Sequence, residues 1–247
     1  RRRRRRSSEC VEDAASVSSS YTLSLLSGLL FATHPVHTEA VACLVGRCEL
    51  LSGLFFLLSL SAHGRARDAA TTTTTTTTTT TIATIVGWHL CSATLAFVAM
   101  LCKEQGVTVL GVWILYDLLQ HASFEKRFRS PLQWIRSVVF DLLPRHVPTL
   151  LLLFACLRFR MWMSGDYAPT IFTRTENPAA ASKNPTTRLL TFSFVNAYSM
   201  WMLLYPRWLC VDWALDSIPL VEEYSDPRLL LVVGMTALLF WSLRRWL

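Results

Sequence analysis

Between Phe31 and Leu58 a helix-length apolar run is headed by His34, Pro35, His37, Thr38 and Glu39, and it still carries Arg47 and Glu49 further in. An ionisable group inside a membrane-length segment costs about 2.5–3.5 kcal/mol or more on insertion scales, so it is expected to face a polar cavity and to serve a function there. The alternative is structural: a capped turn, with Arg47 and Glu49 hydrogen-bonded to neighbouring helices.

On one uninterrupted helix, Gly46 falls almost beneath Glu39, with Cys43 and Arg47 within a quarter turn of it and Glu49 on the opposite side. Arg47 then lies about two turns below Glu39, on the same side. An acid at the mouth and a guanidinium deeper in suit a ligand with a polar acceptor outside and an anion at headgroup depth. Arg forks two donors towards phosphate oxygens and stays charged. Lys103, closing a later apolar block and followed by Glu104, offers a second positive charge, either to that phosphate or to the interface by snorkelling. Arg47, Lys103 and Glu104 are therefore the candidates for substrate contact.

His34, His37 and Glu39 have the right types for a divalent ion, but no fourth ligand is identifiable and the spacing is no familiar metal pattern. No metal site is assigned. The expected role of the three is to shape a site by hydrogen bonding, with general acid/base help from Glu39.

The elements that must position these groups are membrane helices. Of 247 residues, 52% are apolar, with 9 Trp and 13 Phe, and the apolar residues come in blocks near the roughly 20 needed to span a bilayer. The net charge of +7 does not indicate nucleic acid, because Arg1 to Arg6 form one tract and other basic residues cluster at the edges of apolar blocks. The cysteines at 10, 43, 48, 91, 102, 156 and 210 show neither CxxC nor Cys/His spacing, so neither a disulfide framework nor a zinc site is supported. There is no nucleophile elbow, P-loop or dinucleotide motif, and no glycosylation sequon, since Asn184 precedes Pro185.

Residues 1–16 read as a disordered basic segment beside the membrane, and the absence of an initiator Met suggests a fragment. Residues 17–163 read as a multi-pass region with apolar blocks at 17–33, 40–62, 82–102, 107–119 and 147–163, the threonine tract 71–81 being a flexible linker. Pro35 suits the first turn of a new element. Residues 164–227 read as a polar loop containing an interfacial or re-entrant aromatic helix around Trp201, Tyr205, Trp208 and Trp213, and 228–247 as the last spanning helix. If Arg1 to Arg6 are cytoplasmic and each block crosses once, Arg65, Arg67, the 126–145 cluster and Arg244/Arg245 are cytoplasmic too, and only Lys103 lies in the opposite short loops. His34 to Glu39, Lys103/Glu104 and the 164–227 loop then share the other face.

The motifs HPVHTEAV and GRCELLS within 34–52, LCKEQGVTVLGVWILYD at 101–117, and NPAA, TRLLTF and LCVDWALDSIPL between 177 and 220 together resemble the transmembrane and tetratricopeptide repeat-containing proteins. These are endoplasmic reticulum O-mannosyltransferases acting on cadherins. The resemblance covers nearly the whole chain apart from the Arg and Thr tracts. It implies an all-α, multi-pass membrane bundle of the C-type glycosyltransferase (GT-C) class in the endoplasmic reticulum membrane. It also implies transfer of mannose, with inversion, from dolichyl phosphate mannose to Ser or Thr of luminal proteins such as cadherin-like domains, with no firm cofactor and an undefined divalent-metal requirement. The family's acidic pair and its tetratricopeptide repeats fall outside these residues, Glu176 stands in the usual Asp-Asn-Pro, and Ala214 stands where Ser is usual. The fragment alone is therefore expected to be inactive. The rival readings are a non-catalytic membrane adaptor on the same fold and, ranked last for want of an inverted repeat, a transporter.

Overall fold

The computed structural model of the chain describes residues 18, 19, 21–72, 79–124, 136, 138–165, 177–210, 213 and 217–246, and these contain no strand. The sequence expectations for 1–16, for the core of the threonine tract and for Glu176, Asp212, Ala214 and Asp216 lie outside the described residues.

Helix α1 is Tyr21–Thr33. A 3₁₀ turn, Pro35–His37, leads into a short α2, Thr38–Ala42, and then α3, Arg47–Thr72, and α4, Thr79–Cys102. A second 3₁₀ turn, Glu104–Thr108, precedes α5, Val109–Phe124. A π-turn at Val138–Leu142 and a 3₁₀ turn at Leu143–His146 lead into α6, Val147–Ser164, followed by α7, Pro178–Ala181, α8, Pro185–Leu204, and α9, Leu229–Trp246. Helix therefore extends into both ends of the threonine tract, which the sequence reading had assigned to a linker.

Ile82–Cys102 and Val138–Ser164 are long and apolar enough to cross a membrane, and Pro35–Ala42 with Arg47–Thr71 makes a third if the bent pair is one span. One crossing per apolar block is thus only partly met. Tyr21–Thr33 and Leu229–Arg244 are apolar but short. At 1.5 Å per residue they reach roughly 20–24 Å against about 30 Å of hydrocarbon. The 20-residue α8 is not among the candidate spans.

Small residues and serines hold the α3–α4 hairpin together. Ser52 Oγ donates to the Ala99 carbonyl and Ser59 Oγ to the Ser92 carbonyl, both at 3.0 Å and buried. Ala62, Ala66, Ala96 and Ala99 are buried between the helices. Lipid tails are as apolar as leucine, so close backbone approach and such hydrogen bonds, each worth roughly 0.6–2 kcal/mol, replace the hydrophobic drive. Ala96, Val109, Leu110 and Trp113 form the core, with Phe56 and Leu152 packed on it. Leu51, Leu54, Leu151 and Phe154 face outward, an arrangement suited to lipid.

Two glycines permit the tight joints. A Cβ on Gly46 would lie 2.7 Å from Ala40 Cα, and one on Gly106 would fall against the Ala99 carbonyl and 2.8 Å from Met100 N.

The far part of the chain is a second packed unit. Asn177 and Asn184 each cap a helix whose first residue is Pro, their side chains accepting from Ala180 N and Thr186 N. Thr191 Oγ1 accepts from Val221 N at 2.9 Å, and Val221 is fully buried against α8. Arg228 donates to Asp226 and to the carbonyls of Pro219 and Leu220, with its guanidinium 5.4 Å from the Phe194 ring. Residues 217–228 are thereby fastened along α8 just before α9 begins.

Candidate functional site: a groove between the His-Pro turn and the end of α8

Pro35 fixes φ in the first turn after α1, as expected from the sequence, and His34 caps that turn, its Nδ1 accepting from Val36 N at 3.2 Å. With Nδ1 an acceptor, Nε2 carries the proton and donates to the Leu203 carbonyl at 3.0 Å. His34 thus spends both nitrogens tying the turn to the end of α8, so it acts by positioning. Its neighbour His37 packs on Phe31, ring centroids 4.6 Å apart, and edge-on to His34 at 6.3 Å. Thr38 Oγ1 donates back to the Pro35 carbonyl at 2.6 Å, completing the turn.

This mooring leaves a groove of about 630 Å³ between the turn and the segment that follows α8. Thr38, Glu39 and Cys43 line one wall, and Met202, Cys210 and Trp213 the other. Glu39 is exposed in the groove. Trp213 is held edge-on to Tyr198 of α8, with centroids 5.6 Å apart. Among the described residues the groove is mostly apolar with one carboxylate, which can accept a proton or a hydrogen bond from a hydroxyl-bearing ligand.

The phasing expected for Glu39 and Arg47 is overturned. Helix α2 ends at Ala42, Cys43 is extended, Gly46 is buried against Ala40, and α3 restarts at Arg47 with a bend of 118°. The two residues therefore lie on different axes and not two turns apart on one face. Arg47 is exposed and has no side-chain partner among the described residues.

Lys103 is also placed differently from a bare second cation. Its Nζ is paired with Glu49, which the phasing had put on the far side of the helix, and that hydrogen bond holds the ammonium above its ordinary pKa. Glu104 faces Arg160 of α6 at 3.4 Å, both half exposed. Exposed pairs of this kind contribute up to about 1 kcal/mol, so they set geometry more than stability. They form a collar joining α3, α4 and α6. Of His34, His37 and Glu39, Glu39 alone lines the groove, with His34 and His37 in the adjoining turn, while Lys103 and Glu104 lie separately at the collar.

No three His, Cys, Asp or Glu side chains among the described residues converge as a metal-ligand set. A second cavity, of about 540 Å³, lies at the other end of the α3–α6 bundle around Asp117. The sequence reading assigned no role to this cluster. The signal was there, since His63, Arg67, His89, Asp117 and His146 all stand in or beside apolar runs.

Residues 165–240 match the family model described as Protein O-mannosyl-transferase TMTC, DUF1736. Human Protein O-mannosyl-transferase TMTC4 is 36% identical over 232 residues, covering 88% of this chain and 29% of that protein. Human TMTC3 is 36% identical over 219 residues, 83% and 22% respectively. Over most of its length the chain is similar to the TMTC proteins. Xenopus laevis tmtc2 is also 36% identical, over 222 residues, covering 87% of the chain and 24% of that protein. The chain thus spans about a quarter of the length of these TMTC relatives. No solved structure matches it. The matched TMTC segment contains α7, α8 and the Arg228 fastening, and it supplies the Met202–Trp213 wall of the groove.

Proposed function

We propose that this chain is the membrane portion of a protein O-mannosyltransferase with a GT-C-like bundle in the endoplasmic reticulum membrane. The observation that carries the proposal is the similarity, at about 35% identity over most of the chain, to proteins named protein O-mannosyl-transferases. The groove supports the reading with a carboxylate on an otherwise apolar wall. Dolichyl phosphate mannose is the donor and Ser or Thr of luminal, cadherin-like domains the acceptor. In the transfer, an acceptor hydroxyl oxygen attacks C1 of mannose as the C1–O bond to phosphate breaks. The lipid phosphate leaves with the electron pair, and the hydroxyl proton passes to a carboxylate.

Within this scheme Glu39 orders the acceptor hydroxyl or relays its proton, while His34 and His37 hold the turn that presents it. Arg47, exposed and without a side-chain partner among the described residues, attracts the donor phosphate. Lys103 and Glu104, committed to Glu49 and Arg160, frame the donor entrance.

The test is mannose transfer to a cadherin-domain acceptor by reticulum membranes from cells lacking endogenous activity and supplied with the full-length protein. Transfer is expected to fall by about 10²-fold in Glu39→Gln, the weight of one acid/base group, with expression near normal. Arg47→Ala should raise the apparent KM for the lipid donor more than that for the acceptor. Wild-type protein that inserts but transfers nothing would move the reading to a non-catalytic adaptor.

A further inference from the structure

At the opposite end of the bundle from Lys103, an ionic cluster sits beneath an amphiphilic cavity. Asp117 of α5 is 4% exposed. Its Oδ1 receives Arg67 Nε at 3.1 Å and His63 Nε2 at 3.3 Å, both from α3. Its Oδ2 is faced by His146 Nε2 at 3.4 Å. Oδ1 is therefore taken by two donors, while Oδ2 lies against the His146 ring without a hydrogen bond from it.

The donors around it are not used up. His146 is 3% exposed, and neither ring nitrogen has a hydrogen-bond partner among the described residues, so its N–H is unmet. Trp113, stacked on His63 with ring centroids 4.9 Å apart, has an indole N–H with no partner among the described residues. A buried polar group left unpaired costs about 1–3 kcal/mol, so unmet donors clustered beside a cavity point to an acceptor that completes them. Arg67 and Arg145 add two positive charges on the cavity wall against the single charge of Asp117. The polar side thus reads as an anion site, and Arg is suited to phosphate.

The other side of the cavity is apolar and open. Val86 and Leu90 line it and are 49% and 64% exposed on the outer face of α4, inside the Ile82–Cys102 candidate span. Val86 lies four residues into that span, about 6 Å along the axis, which is the depth of a headgroup–acyl boundary.

We propose that this cavity binds a phosphate-bearing anion, with Arg145, Arg67, Trp113 and His146 meeting the phosphate and Val86 and Leu90 opening towards an acyl chain. The site lies at the other end of the bundle from the groove and does not depend on the transferase reading.

The experiment is native mass spectrometry of the full-length protein in neutral detergent, titrated with phosphatidic acid, with phosphatidylcholine, or with inorganic phosphate alone. One phosphatidic acid is expected to bind about tenfold more tightly than phosphatidylcholine. Arg145→Gln, an exposed change that leaves the Asp117 cluster intact, should weaken it about tenfold or more, the weight of one charge-assisted hydrogen bond. Arg65→Gln, at the same end but stacked on Trp88 and not lining the cavity, should leave it unchanged. If millimolar phosphate displaces the lipid and raises the melting temperature by itself, the site is supported and its source is soluble phosphate. If only the lipid binds, the source is a headgroup. Equal binding of the two lipids with no effect of phosphate, equal binding by Arg145→Gln and wild type, or equal losses in Arg145→Gln and Arg65→Gln would overturn the proposal.

Discussion

Gly106 marks the point where side-chain size decides whether the bundle closes. A methyl group there would meet the backbone of Ala99 and Met100, which cannot swing aside as a side chain can. Gly106→Ala should therefore cost about 1–3 kcal/mol, read as a lowered melting temperature of the detergent-purified protein. Gly53→Ala, with nothing within 4 Å of its new carbon, should be neutral or stabilising. An equal loss in both variants would show that helix flexibility, not close packing, explains these glycines. At this scale the sequence was legible where chemistry is local: Pro35 occupies the first turn of a new element because its fixed φ and missing N–H allow little else. Pairings such as Lys103 with Glu49, or Asp117 with His63 and His146, join residues from separate helices, and no local spacing encodes them.

Among the elements, α4 and α6 were read almost to the residue, since an apolar run of spanning length has sharp polar ends. The break before α3 was missed because Cys43 to Val45 are ordinary residues, and the need for Gly46 to abut Ala40 shows only in three dimensions. The asparagines before Pro178 and Pro185 were visible as motif letters, yet their helix-capping role emerged only with the backbone.

The fastening of 217–228 along α8 carries a prediction of its own. Hydrogen bonds from Arg228 hold the Asp226 carboxyl below the usual carboxylate range. A depressed carboxylate contributes stability that is present above its unfolded pKa and lost as pH falls through the folded value. Limited proteolysis of this segment should therefore show protection from about pH 5 to 8 and release only in stronger acid. Asp226→Asn and Arg228→Gln should be cleaved at every pH, with helix content retained. Protection that persists in Arg228→Gln would assign the fastening to the Val221–Thr191 contact instead.

For the whole molecule, the groove requires that the turn after α1 and the segment after α8 open on the same side of the membrane. Cys43 and Cys210 are both exposed and line its opposite walls. Single-cysteine versions should react with a membrane-impermeant maleimide from one side only, and from the same side. Labelling from opposite sides would dissolve the groove and with it the role given to Glu39. The arrangement of positive charges leads to the expectation of such a common face, whereas the His34–Leu203 hydrogen bond that joins its two parts spans 169 residues and has no trace in local pattern.

The bend between α2 and α3 also has a mechanical meaning. A straight helix transmits any change of tilt along its length, so a site at its mouth would shift whenever the surrounding bilayer thinned or thickened. Here the axis turns by 118° at the break between Ala42 and Arg47, and the turn leading into the Glu39 helix is moored across to α8. Helix α3 can then lean to match membranes of different thickness as the two walls of the groove keep their spacing, like a door frame that stays square while the floor settles.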